Sequence, residues 1–125
     1  MSTWRRQASE HLPEFQKLIS SPLVDSPMML WIELNIEFQK LCDVSPPDIE
    51  LLKRFWKYCD ICLGSPSDDV VNAAALGFCE HLIDTTNRIS MLPKIMTRAD
   101  FIGLKECVTY LNDEQAFIHA LSSFK

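Results

Sequence analysis

The chain has 125 residues, 47% of them hydrophobic and 23% charged, with a formal net charge of −5. That is the size of one domain with one core, with no need of metal or disulfide staples. The acidic balance speaks against general nucleic-acid binding, which needs a basic footprint, and three glycines speak against a β-chain built on many tight turns.

Serine-proline pairs punctuate the first half. Serine caps free amides at a helix start, and proline at the first helical position lacks the amide that would go unbonded there. Residues 3–20 contain Pro13 and are expected to break there into two short helices, with Phe15, Leu18 and Ile19 on the apolar edge. Ser26-Pro27 then opens a helix over 27–43, whose stripe is Leu30, Leu34, Phe38 and Leu41, widened by Trp31 and Cys42. Ser45-Pro46 opens another over 46–63, with Ile49, Leu52, Trp56, Cys59 and Leu63 inward and Gly64 placed for a left-handed C-cap.

A fourth helix is expected over 68–83. Val70, Val71, Ala73, Ala74, Ala75, Leu76, Phe78, Cys79 and Leu82 make it apolar nearly all round, as a central helix would be. Residues 84–96, with Thr85-Thr86-Asn87 and Pro93, read as a loop with one or two helical turns. Thr97 and Asp100 form a capping box for a helix facing inward through Phe101, Leu104, Val108 and Leu111, and residues 112–115 start a last short helix with Phe117, Ile118 and Leu121. No segment alternates with period two. The expectation is an all-α fold of stacked antiparallel helical hairpins or an orthogonal bundle, six to seven helices in a single domain over residues 1–125.

No apolar run approaches the roughly 20 residues that span a bilayer, and the start lacks the apolar core of a signal peptide. Five cysteines, an odd number set in helical patterns, suit reduced thiols in the cytoplasm. Cys59 and Cys62 form a C-x-x-C that Cys79 and His81 would have to complete as a zinc site, but a second short-spaced pair is absent and so is a βαβ context for redox work. Buried thiols are the simpler reading. There is no glycine-rich phosphate loop, nucleophile elbow or H-E-x-x-H, so no catalytic, cofactor or metal residues are assigned.

The charge pattern of residues 60–84 carries more information. Asp60, Asp68, Asp69, Glu80 and Asp84 lie there without a lysine or arginine. On a continuous helix Asp69, Asn72, Leu76, Glu80 and Asp84 would share one stripe. Asp68 and Asp69 favour the helix's positive N-terminal end, whereas Glu80 and Asp84 would sit at a cost near its negative end, which suggests a partner. The candidate partner-binding residues are therefore Asp60, Asp69, Asn72, Glu80 and Asp84. Lys53, Arg54 and Lys57 read as a solvated face, with Glu50 spaced to pair with Arg54.

The stretch from Phe55 to Leu63 followed by Asp68, Val71, Ala74, Ala75, Leu76 and Gly77 resembles a HEAT-type helix pair, with Asn72 where such repeats often have arginine. A longer similarity, over roughly residues 50–111, is to small bacterial all-helical proteins of the polymorphic-toxin immunity type. It runs from Asn72 through Phe78-Cys79-Glu80-His81-Leu82 into a proline-interrupted loop. The resemblance implies a stoichiometric inhibitor, not an enzyme, that docks on a cognate and often basic toxin domain and blocks its active site. Two other functions remain open at this point: a helical adaptor or regulatory scaffold for another protein, and a small metal or redox enzyme using Cys59 and Cys62.

Overall fold

The structure, a computed structural model, describes residues 2–125 and holds nine α-helices and no strand among them. Ser2 and Leu12 flank α1 (Thr3–His11), and Pro13 starts a 3-10 turn (Pro13–Phe15) that leads into α2 (Gln16–Ile19). Ser26 caps α3 (Pro27–Cys42) by accepting from the Met29 amide at 3.1 Å, with Pro27 in the first turn. The next helix starts later than Ser45-Pro46 suggests. Asp48 caps α4 (Ile49–Leu63), taking the Leu51 amide at 3.1 Å. Gly64 ends α4 at φ −91°, so no left-handed residue is used there, and its amide bonds back to Asp60 and Ile61.

The largest departure from expectation concerns residues 68–83. Helix α5 (Asp68–Gly77) stops at Gly77, and after Phe78 the chain makes a 3-10 turn over Cys79–His81. Phe78 explains the break. Its ring centroid lies 4.9 Å from that of Trp31 and meets Phe38 edge-on at 4.8 Å, and the backbone bends (φ −135°, ψ −59°) to deliver it there. Burying one phenylalanine is worth about 1.5–3 kcal/mol, and the turn keeps its backbone bonded, with the His81 amide donating to the Phe78 carbonyl at 2.9 Å and the Leu82 amide to the Cys79 carbonyl at 3.3 Å.

The reverse holds downstream. The stretch expected to be mostly loop contains α6 (Thr86–Ile95), capped by Thr85 on the Arg88 amide at 3.2 Å. Pro93 lies inside it, and the buried face of Arg88, Met91, Leu92 and Ile95 outweighs the lost amide. Thr97 and Asp100 form the expected capping box for α7 (Arg98–Gly103), at 3.0 and 2.9 Å. Leu104 separates α7 from α8 (Lys105–Leu111), and Asp113 caps α9 (Glu114–Leu121) through the Ala116 amide.

Helix α3 packs most extensively on α5. The two run in the same direction: Ser26, Pro27 and Met28 share a groove with Asp69 and Asn72, and further along, Trp31 and Ile32 meet Gly77. A Cβ at Gly77 would stand 2.8 Å from Trp31 Cβ, so only glycine permits that approach. Helix α4 packs on α1, α5 and α6. Tyr58 stacks on Trp31 at 5.1 Å and donates to the Trp4 carbonyl at 2.9 Å. Arg54 reaches Glu14 with a two-pronged pair at 2.7 and 2.5 Å and the His11 carbonyl at 3.0 Å, so its partner is not the Glu50 its spacing suggested. The side-chain hydrogen bond from Arg54 lowers the Glu14 pKa to about 2.

Candidate functional site

The five candidate residues do not form one surface stripe. Because α5 ends at Gly77, Glu80 falls in the 3-10 turn and is only 6% exposed. Asp84 lies 2.8 Å from His81 Nδ1, an acid three residues after its partner. These two carboxylates, buried in one case and paired within the molecule in the other, do not extend the surface begun by Asp69. Asp60 is displaced too. It projects from α4 into a groove against α6 and α7, whereas Asp69 and Asn72 line the groove at the start of α3. Only Asp69 and Asn72, one helical turn apart on α5, come together as the sequence suggested.

What joins them comes from α3. Met29, Ile32 and Ile36 are exposed on this helix, the last at 47%, and no other helix among the described residues exposes as many large apolar side chains. Beside them Leu76 is 46% exposed on α5, next to the Gly77 crossing point. On the other flank, Lys17, Leu18, Leu23, Val24, Met29 and Glu33 line an open groove of about 470 Å³, whose rim residue Leu23 is 84% exposed. Exposed apolar side chains gathered on one helix pair mark an interaction surface more often than single residues scattered over a molecule do.

Carboxylates frame the ridge. No lysine or arginine occurs between Lys17 and Lys40 or between Lys57 and Arg88. These two stretches supply all of the α3–α5 pair except the last turn of α3. Glu33 and Asp69 lie on its two sides, and Glu37 is held by Lys40 at 3.0 Å. The surface combines apolar anchors with the carboxylates of Glu33 and Asp69, and Lys17 lines the same groove as Glu33. Ile32 and Ile36 left one signal in the sequence: they stand four residues apart, off the buried stripe of Leu30, Leu34 and Phe38.

The cysteines lie elsewhere. Cys59 and Cys79 approach to 3.4 Å between sulfurs inside the core, and Cys62 is buried beside them. Burial pushes the Cys59 and Cys62 thiols above their usual range. His81 instead faces Asp84, and among the described residues no three histidine, cysteine or acidic side chains are grouped to hold a metal ion.

Among the described residues no helix is long and apolar enough to cross a membrane. Compared with known proteins, the chain matches no family model, no curated protein and no solved structure.

Proposed function

We propose that the chain is a protein-binding domain that neutralises a toxin domain by docking on it in one-to-one stoichiometry, in the manner of immunity proteins. The observation that carries this reading is the α3–α5 face, where Met29, Ile32, Ile36 and Leu76 form an apolar ridge bordered by Glu33, Asp69 and Asn72. Its occupant is a basic protein surface. Apolar side chains supply the buried centre of such an interface, and carboxylates around them speed encounter with a positive partner and fix its orientation. The similarity of residues 55–77 to a HEAT-type pair belongs to the same reading, since stacked helices of that kind present a face to other proteins.

The test is co-expression of the tagged chain with the C-terminal domain of a large toxin encoded beside it, followed by titration calorimetry. A one-to-one complex is expected. Ile36→Asp and Leu76→Asp should each weaken it by about 2 kcal/mol or more, as for central interface anchors. Asp69→Lys should chiefly slow association and flatten its dependence on salt. Absence of a complex with that domain, or full affinity in Ile36→Asp, refutes the proposal.

A further inference from the structure

A second surface differs in chemistry from the first. Lys53 and Lys57 on α4 and Lys94 on α6 converge on an open depression of about 660 Å³, completed by Trp56, Asp60 and Asp100. Lys94 is remote in sequence and arrives only because α6 packs against α4. Among the described residues none of the three lysines has a carboxylate oxygen within 4 Å, although acids outnumber lysines and arginines 17 to 12. The two acids in the lining offset part of this charge but pair with none of the lysines: Asp100 accepts from the Thr97 amide at 2.9 Å, Asp60 makes no ion pair, and an excess of positive charge remains. Lys53 and Lys57 stand four residues apart on one helix, a spacing that costs a few tenths of a kcal/mol in repulsion and that Lys94 aggravates. Apolar side chains complete the hollow: the buried Trp56, Ile95 and Met96, with Ile61 at the rim.

We infer that this depression binds a compact polyanion with an apolar body. Clustered anionic oxygens would relieve the repulsion among Lys53, Lys57 and Lys94, and the rest of the ligand would cover the apolar lining. The volume exceeds what one inorganic phosphate fills, so a ligand larger than a single oxyanion fits the depression. Phosphate and carboxylate both supply the required oxygens, and the choice of probes separates them.

The experiment is a two-dimensional amide and indole NMR titration of the full chain at fixed ionic strength with pyrophosphate, adenosine diphosphate and benzene tricarboxylate. The expected result is saturable shifts at the Trp56 indole and the Thr97 amide, with a Kd below about 1 mM for at least one probe. Saturation by the two phosphates alone assigns the site to phosphate esters, and by the tricarboxylate alone to carboxylates. A Lys57→Ala, Lys94→Ala double variant, both sites being exposed, should keep the wild-type melting temperature and weaken binding by about tenfold. Asp60→Asn should tighten it by about threefold, because one repelling charge is gone. The inference is overturned if no probe saturates, if shifts spread equally to Lys17, Lys105 and Lys125, or if either variant leaves the affinity unchanged.

Discussion

Arg88 is the side chain on which the middle of the molecule converges. It is 2% exposed, and it donates to the Asn35 carbonyl at 3.0 Å, the His81 carbonyl at 3.1 Å and Gln39 Oε1 at 2.5 Å. Its guanidinium also lies over the Phe38 ring, 5.1 Å from the centroid. All three acceptors are neutral, and desolvation lowers its pKa. Removing a charge from water costs several kcal/mol, and a planar fork recovers it only where several acceptors are placed in its plane. Lysine cannot reproduce that fork. Arg88→Lys should therefore cost about 2–4 kcal/mol in denaturant-induced unfolding, because one ammonium cannot reach Gln39 Oε1 and the Asn35 carbonyl on α3 together with the His81 carbonyl of the 3-10 turn, and the buried charge loses part of its hydrogen bonding. A loss under about 0.5 kcal/mol would show that the fork does not hold these elements together.

At the scale of elements, two glycines make opposite demands. Gly77 ends α5 against Trp31 on α3, where a Cβ would meet Trp31 Cβ at 2.8 Å, whereas a Cβ at Gly103 on α7 would meet nothing within 4 Å. Both lie in helices and neither has a positive φ, so alanine is favoured by intrinsic propensity at each, by up to about 1 kcal/mol. Packing decides between them. Gly103→Ala should raise the melting temperature slightly, and Gly77→Ala should lower stability by about 1–3 kcal/mol as α3 and α5 are forced apart. Equal effects of the two substitutions in thermal melts would mean that the α3–α5 contact yields easily. Since the apolar ridge of the proposed docking face straddles that contact, Gly77→Ala should also weaken toxin binding.

For the molecule as a whole, the buried side chains form one cluster that extends from Ala8 and Leu12 to Phe124. The Phe101, Phe117 and Phe124 stack, with centroids 4.8 and 5.2 Å apart, ties the C-terminal helices into it. Four of the five cysteines lie inside this cluster or at its edge, and Cys107 is half-buried. Burial raises the Cys42 thiol to about 11, and it also raises Cys59, Cys62 and Cys107. Thiolate is the reactive form, so an aromatic disulfide reagent at pH 8 should titrate at most the Cys107 thiol in the native protein and all five after unfolding. Rapid native reaction of Cys59 or Cys62 would instead indicate that the core opens around them, and would revive a redox role for the C-x-x-C.

Local chemistry made the helical class readable from the chain alone. The Ser26 and Thr97 caps, the break at Pro13 and the apolar stripes of α3 and α4 follow from hydrogen-bonding groups and periodicities within a few residues of one another, whereas the last helix is capped by Asp113, one residue beyond the Asn112 at which the sequence starts it. The unbroken helix through Leu82 and the loop across Pro93 failed as expectations for one reason. Short-range propensity gave way to the burial of Phe78 and Arg88 against groups that sequence places 40 to 53 positions away. The candidate sites were decided at that same range. Asp69 and Asn72 were legible as neighbours because one helix turn joins them, whereas Ile32 beside Leu76, and Lys94 beside Lys57, exist only once α3 meets α5 and α6 meets α4. Charge and periodicity along a chain fix what each helix can bury or expose; which exposed residues form a common surface depends on packing between helices, and that no local pattern encodes.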